Sequence, residues 1–348
     1  MKILVELLHG LGDTVCALPM LKITRDNYPN AEIYVVVKSK AQADLVYASR
    51  IKINEIIYWD VHRCSLIENF KMIKYLRSYK FDYGISSVNT PVHKARIFMG
   101  SLKCKNAIGI QHIYGKTFDD LKDKYHFVEA NLLTIKSICS LPNFKVYPKL
   151  YANDKDIDYV QDKIRKLNPN NTIIGVCIGN GDYSLKNRWL RTGKVITKGW
   201  GIENTNDLIV RLLKSKHNVI LFGGAMEKEL LMQLDEKVLR NENLVNLVAE
   251  TNVSQSIAAA AICDLVVGVD TGMQHISAAV GAKTLTIFGP TSPKMCGAYS
   301  ESSDFVEVDV ICKYCYGTKA YVNCNDRKCL KDITVDMVVE KINNFFGV

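Results

Sequence analysis

The sequence predicts an α/β protein with two Rossmann-like, doubly wound parallel-sheet domains. Three observations predict it. Short apolar runs alternate with longer amphipathic stretches, that alternation restarts once after a polar stretch, and the chain has material for two cores. It has 348 residues, 48% of them hydrophobic and only 8 prolines, which suits two domains that each bury a core.

The first run, KILVELL, leads into the amphipathic TVCALPMLKITRDNYP and then EIYVVV, with further strand candidates at EIIYW (55–59) and YGISS (83–87). That is the βαβ pattern of a parallel sheet. The polar stretch NDKDIDYVQDKIRKLNPNN (153–171) interrupts it, and the pattern resumes as TIIGVCIG, the helix NTNDLIVRLLKSK, NVILFGG, and the helix EKELLMQLDEKVL. It continues as NLVNLV, the helix SQSIAAAAI, DLVVGVD, the helix HISAAVGA and TLTIFG. The expected domains are residues 1–160 and 161–330, with a final helix in 331–348, TVDMVVEKINNFF, packing back on the first. Ligands are expected in the crevice outside the carboxyl ends of the strands.

No apolar run approaches the roughly 18 to 20 residues of a spanning helix, and no cleavage-site pattern follows the apolar start, so a soluble cytoplasmic protein is expected. Residues 1–150 carry 22 Lys and Arg against 13 Asp and Glu, while residues 151–348 carry 23 against 23. The formal charge of +9 therefore belongs to the first half, which suits either a solvated lysine-rich surface or an anionic acceptor or membrane surface. Nucleic acid is not expected, because no binding module accompanies the charge.

Two strand-to-helix loops carry candidate chemistry. In HGLGDT (9–14), Gly10 and Gly12 let the backbone turn tightly, and Asp13 falls at or near a helix N-terminus. There it serves either as a helix cap or as an ionised carboxylate, facing the interdomain cleft and free to accept a proton. In the second loop the chain turns after LVVGV at Asp270-Thr271-Gly272, and the amides of the helix starting near Met273 point out of the strand ends. A helix N-terminus of this kind binds phosphate. Thr271 adds a hydroxyl, Gly272 permits close backbone approach, and His275 either adds a donor or sits as a satisfied half-buried histidine. Asp270 is expected to brace the turn by accepting backbone N–H groups. Neither a GxGxxG fingerprint nor a GxxxxGK[ST] loop occurs, which argues against dinucleotide-dependent hydride transfer, epimerisation and P-loop phosphoryl transfer.

The N-terminal strand with GLGDTVCALPMLK and the late DLVVGVDTGMQHISAAVGAKTLTIFGPTSP resemble the ADP-heptose lipopolysaccharide heptosyltransferases, glycosyltransferase family 9. KFDYGISS before KARI, KGW (198–200), LFGGAMEKE (221–229) and a C-terminal cysteine cluster follow in the matching order. The resemblance spans nearly the whole chain. It implies a GT-B fold, an acceptor on the first domain, a nucleotide sugar on the second, and inverting transfer without a catalytic metal or other catalytic cofactor.

Carried onto this chain, the resemblance makes Asp13 the general base. Lys198, Asp270, Thr271, Gly272, Met273 and His275 surround the nucleotide diphosphate, and Glu227 holds hydroxyls of the sugar or sits as a solvent-facing first-turn acid. Preorganised donors at a developing charge lower the barrier, one being worth about 3 kcal/mol. The segment between Gly179 and Trp200 departs from the family pattern. It offers two Lys-x-x-Trp-like choices, of which Lys198 is preferred, with Lys186 and Arg188 as extra phosphate contacts. The implied donor is ADP-heptose or another nucleotide sugar. The implied acceptor is an anionic glycan or glycolipid of lipopolysaccharide core, capsule or protein, with peripheral association at the inner membrane. A non-catalytic carbohydrate-binding protein is the alternative from another class.

Cys312, Cys315, Cys324 and Cys329 form C-x2-C-x8-C-x4-C in a turn-rich segment. Four thiolates at such spacing are a candidate structural zinc or iron site, with free thiols or a disulfide as the competing readings. Four cysteines leave no open coordination position for catalysis.

Overall fold

The computed structural model describes residues 1–109, 124–179 and 198–347. The chain divides into two compact units, Met1–Leu150 and Tyr151–Val348.

In the first unit β1 (Lys2–Leu7), α1 (Leu11–Asn27), β2 (Glu32–Val37), α2 (Lys40–Ala48) and β3 (Glu55–Tyr58) come first. They are followed by α3 (Leu66–Ser78), β4 (Tyr83–Ser86), α4 (Val92–Leu102), β5 (Asn106–Ile108) and α5 (Phe127–Thr134). The sheet order is β3-β2-β1-β4-β5, and every pairing is parallel. Strands buried on both faces need apolar residues at consecutive positions, which is why KILVEL and EIYVVV read as unbroken runs. Ile3, Val5, Ile33 and Val35 pack with Met20 and Leu21 of α1 on one face. Leu4, Tyr34, Val36 and Ile57 pack with Leu76 and Phe81 on the other.

Helix α1 ends at a buried cation. The Arg25 guanidinium donates to the carbonyls of Lys52 (2.9 Å), Tyr28 (3.1 Å), Pro29 (3.0 Å) and Ala31 (2.8 Å). It thereby ties together carbonyls around the C-terminus of the helix. Burial holds its pKa below the ordinary arginine value.

The second unit contains α6 (Asp154–Ile164), β6 (Ile173–Cys177), α7 (Ile202–Lys214), β7 (Asn218–Phe222), β8 (Leu244–Asn246) and α8 (Val253–Ala261). Then come β9 (Leu265–Val269), α9 (Gly272–Val280), β10 (Lys283–Ile287), β11 (Ser303–Val306) and α10 (Val335–Phe346). Its parallel sheet runs β11-β10-β9-β6-β7-β8. Val335, Val338 and Ile342 of α10 bury in this unit's core with Leu208, Leu212, Leu285 and Val306.

One expected helix is broken. EKELLMQLDEKVL forms a 3-10 turn (Ala225–Glu227) and two single-turn helices, Lys228–Leu231 and Glu236–Leu239. The Asp235 carboxylate accepts from Lys237 N–H at 2.8 Å and so starts a new helix in mid-segment. Strand β11 was not anticipated, because SDFV lacks the apolar continuity of its neighbours.

In each sheet the strand order reverses once, between β1 and β4 in the first unit and between β6 and β9 in the second. The carboxyl ends of those four strands are where an open α/β sheet leaves room for a ligand.

Candidate active site

At the first switch point the chain leaves β1 through His9 and Gly10. Gln42, fully buried, holds this exit by donating from Nε2 to the carbonyls of Leu7 (2.7 Å) and His9 (2.8 Å). Helix α1 begins at Leu11, so Gly12 and Asp13 stand in its first turn. Asp13 takes the first of the two roles weighed for it, at the start of its own helix. Its Oδ2 accepts from the Gly10 N–H at 2.8 Å, which caps the helix, and its Oδ1 accepts from the Asn89 amide just beyond β4. A Cβ on Gly10 would stand 2.9 Å from Asp13 Oδ2, so glycine is what lets the carboxylate fold back this closely. Asp13 is half-buried, and each oxygen keeps a lone pair beyond its one hydrogen bond.

Beside it lies a buried network. Thr90 Oγ1 donates to Glu6 Oε2 at 2.6 Å and stands 2.7 Å from His9 Nε2, while Leu8 N–H donates to Glu6 Oε1 at 2.9 Å. Glu6 is 1% exposed, and burial raises its pKa above the ordinary value despite the hydrogen bond from Thr90.

At the second switch point, β9 delivers Asp270 and Thr271 to the N-terminus of α9. Lys198 Nζ donates to Asp270 Oδ2 at 2.9 Å. His275 Nε2 lies 4.0 Å from Asp270 Oδ1, and Cys296 Sγ lies 3.8 Å from Oδ2. Asp270 is thus held by side chains, where bracing by backbone N–H groups was expected. Burial alone would raise its pKa, but Lys198 and His275 outweigh burial and hold it below the ordinary value. Burial likewise pulls Lys198 down, and Asp270 reverses this, keeping the ammonium above its ordinary value. The pair is ionised, with the ammonium 5.3 Å from the Tyr316 ring centroid.

Thr271 is the N-cap residue of α9, yet its side chain makes no capping hydrogen bond. Its Oγ1 is buried and has no hydrogen-bond partner among the described residues. A buried hydroxyl without a partner costs roughly 1–3 kcal/mol. Beside it stand the first amides of α9, which have no intrahelical acceptors. Gly272 and Met273 open that helix, and His275 lies on it, buried.

Glu227 is 5% exposed, so the solvent-facing alternative is excluded. Its Oε2 accepts from the Gly224 N–H at 2.8 Å, closing the turn after β7. A Cβ on Gly179 would stand 2.4 Å from Glu227 Cγ, which puts this acid against the chain leaving β6. Burial pushes the neighbouring Cys177 thiol up to about 12, with Glu227 adding to it. A pocket at these strand ends is lined by Cys177, Gly179, Trp200, Thr205, Gly268 and Arg327, among others. Lys186 and Arg188 lie outside the described residues.

The four C-terminal cysteines are free thiols. Cys312 is exposed and Cys329 is buried. No group of three or more His, Cys, Asp or Glu side chains is gathered for a metal ion among the described residues. Burial raises Cys329 to about 11, with the other three cysteines adding to it.

Asn89, Thr90 and Glu6 are candidates the sequence reading passed over. Glu6 carried a signal, a lone acid inside an apolar strand. Asn89 and Thr90 carried none until β4 was known to lie beside β1.

Comparison with known proteins agrees with this fold. The family model "Glycosyltransferase family 9 (heptosyltransferase)" matches residues 188–324. Lipooligosaccharide heptosyltransferase 2 of Campylobacter jejuni is 25% identical, over 99% of this chain and 98% of the relative. The solved structure of E. coli ADP-heptose lps heptosyltransferase II superposes with a TM-score of 0.73 at 22% identity, covering 99% of this chain and 98% of that one. A family 9 glycosyl transferase of Veillonella parvula gives 0.80 at 15% identity, covering 99% and 96%. Two doubly wound units of this wiring, matched over nearly their full length, define a GT-B fold, and the sequence relatives indicate a glycosyltransferase. The chain is similar to the family 9 heptosyltransferases, whose family model matches residues 188–324.

Proposed function

We propose that the protein transfers a heptosyl group from ADP-heptose, with inversion, to a hydroxyl of an anionic lipopolysaccharide-core acceptor at the cytoplasmic face of the membrane. The observation that carries this reading is Thr271, a buried N-cap hydroxyl that leaves its helix uncapped and has no partner among the described residues. A diphosphate oxygen would accept from it, from the first amides of α9 and from Lys198. The names of the matched relatives support heptose and lipopolysaccharide as the substrate classes.

In this reading the acceptor hydroxyl attacks the anomeric carbon as the bond from that carbon to the diphosphate oxygen breaks. The hydroxyl proton passes to Asp13, and the bonding pair leaves with the diphosphate. One displacement inverts the centre. Charge gathers on the leaving oxygens, where oriented amides, the Thr271 hydroxyl, His275 and the Lys198 ammonium stabilise it most at the transition state. Asn89 and Gly10 hold the Asp13 carboxylate in one orientation, and Glu227 binds sugar hydroxyls. No step passes through a metal ion.

Two measurements test this. In a thermal-shift screen, ADP or ADP-heptose at 100 times its dissociation constant stabilises by about 2.7 kcal/mol, with UDP, GDP and CDP weaker. A preference for another base would replace the donor. Asp13→Asn is expected to bind donor normally and lose roughly 10²–10⁴-fold in turnover. Unchanged turnover would remove the base assignment.

A further inference from the structure

We propose that the N-terminal half of α3 is a docking face for an anionic lipid membrane. Leu66 is 88% exposed, Ile67 69% and Phe70 67%, all within the first five residues of the helix. Single exposed apolar residues are ordinary, whereas three together on one arc form a patch. The opposite arc is core, where Leu76, with Met72 and Ile73 beside it, packs under the sheet.

The patch is built rather than frayed. Ser65 and Glu68 form a reciprocal capping box, Ser65 N–H donating to Glu68 Oε2 at 2.7 Å and Glu68 N–H to Ser65 Oγ at 3.3 Å. Asn69 accepts from Trp59 Nε1 at 2.7 Å and donates to the carbonyls of Val61 and Cys64, both at 3.1 Å. The loop and the first turn therefore present the three apolar side chains as a fixed tip.

Charge selects the occupant. Residues 61–105 hold nine Lys and Arg against two Asp and Glu, a surplus of +7 within a chain whose total is +9. Lys71 and Lys74 are exposed on the same arc as the apolar tip, and the one acid of α3, Glu68, is engaged in the cap. A soluble anionic glycan would account for the lysines and leave Leu66, Ile67 and Phe70 unexplained. A second copy of this chain would bring two strongly basic faces together. Lipid satisfies both features, since apolar tips enter the acyl boundary while lysines meet anionic headgroups. In a parallel sheet every helix starts at the strands' carboxyl ends, so the start of α3 shares a rim with the start of α1 and with Asp13. Docking there would hold the candidate base near headgroup level.

The test is vesicle binding by the full chain without donor or acceptor, so its outcome is independent of the proposed reaction. Flotation with phosphatidylethanolamine vesicles containing about 30% phosphatidylglycerol, at physiological salt, should carry the protein. Pure phosphatidylcholine should not. Lys71→Gln with Lys74→Gln should weaken binding roughly 30-fold, taking each basic residue near an anionic surface as worth about fivefold. Leu66→Ser with Ile67→Ser and Phe70→Ser should weaken it at least about tenfold. An unchanged thermal transition shows that each variant is folded, and if the serine variant unfolds, the lysine pair carries the test. Failure of the wild type to float, wild-type binding by a folded variant, or a wild-type dimer that the serine variant converts to monomer would each overturn the proposal.

Discussion

Thr271→Val separates a structural from a ligand-binding role by the sign of its effect. Thr271 occupies the N-cap position at φ −143° and ψ 165°, extended backbone that a β-branched valine adopts without strain. Losing a working threonine cap costs about 1 kcal/mol, but this side chain makes no capping bond, so that loss is absent. What valine removes is a buried hydroxyl without a partner, whose desolvation costs roughly 1–3 kcal/mol. The free variant is therefore expected to be as stable as wild type or up to about 2 kcal/mol more stable. In a unit of this size that is a Tm rise of up to roughly 4–8 °C. The stabilisation by ADP should shrink by about 1.4 kcal/mol, one hydrogen bond to a charged ligand and a tenfold loss in affinity. Differential scanning fluorimetry with an ADP titration reads both numbers. A variant that loses 1 kcal/mol or more when free, yet keeps the full ADP shift, would refute the reasoning.

Lys198→Met should destabilise by about 3–5 kcal/mol at neutral pH, because it leaves the Asp270 carboxylate buried without its cation. The loss should narrow on acidification as the orphaned carboxylate takes up a proton, and Asp270→Asn added to it should recover part of the stability; a small, pH-independent loss in calorimetry would contradict the buried pair. Glu6→Gln addresses a group whose pKa is raised by folding, so its contribution is complete below the unfolded value of 4.5 and is lost as pH rises through the folded one. The Tm of this variant relative to wild type should therefore climb as pH rises above 4.5, and a flat difference would remove the assignment. Arg25→Lys should cost about 2–3 kcal/mol by urea unfolding, because an ammonium cannot span the four carbonyls that the guanidinium reaches.

Much of the fold was legible because burial on both faces forces continuous apolar strands, and KILVELL, EIYVVV and LVVGV announce themselves. The turn at Asp270-Thr271-Gly272 was legible for a related reason, since a polar triplet between a buried strand and a small-residue helix needs an occupation. What local pattern could not show was partnership. Asn89 meets Asp13 across 76 positions and Lys198 meets Asp270 across 72, and only strand order brings them together. The helix expected through residues 227–239 failed because periodicity does not weigh a capping aspartate at 235. The cysteine spacing marks a neighbourhood, and no metal-holding group is gathered there among the described residues.

The Lys198–Asp270 pair also bears on how the second unit would respond to ionic strength. A cation already matched by its own anion leaves the basin electrically quiet, so an arriving diphosphate would be drawn by fixed dipoles at short range instead of by a long-range field. Added salt screens distant charges and barely touches contacts of that kind. Nucleotide affinity should then stay nearly level as salt rises, while any grip on acidic lipid through the lysines of the first unit fades over the same range.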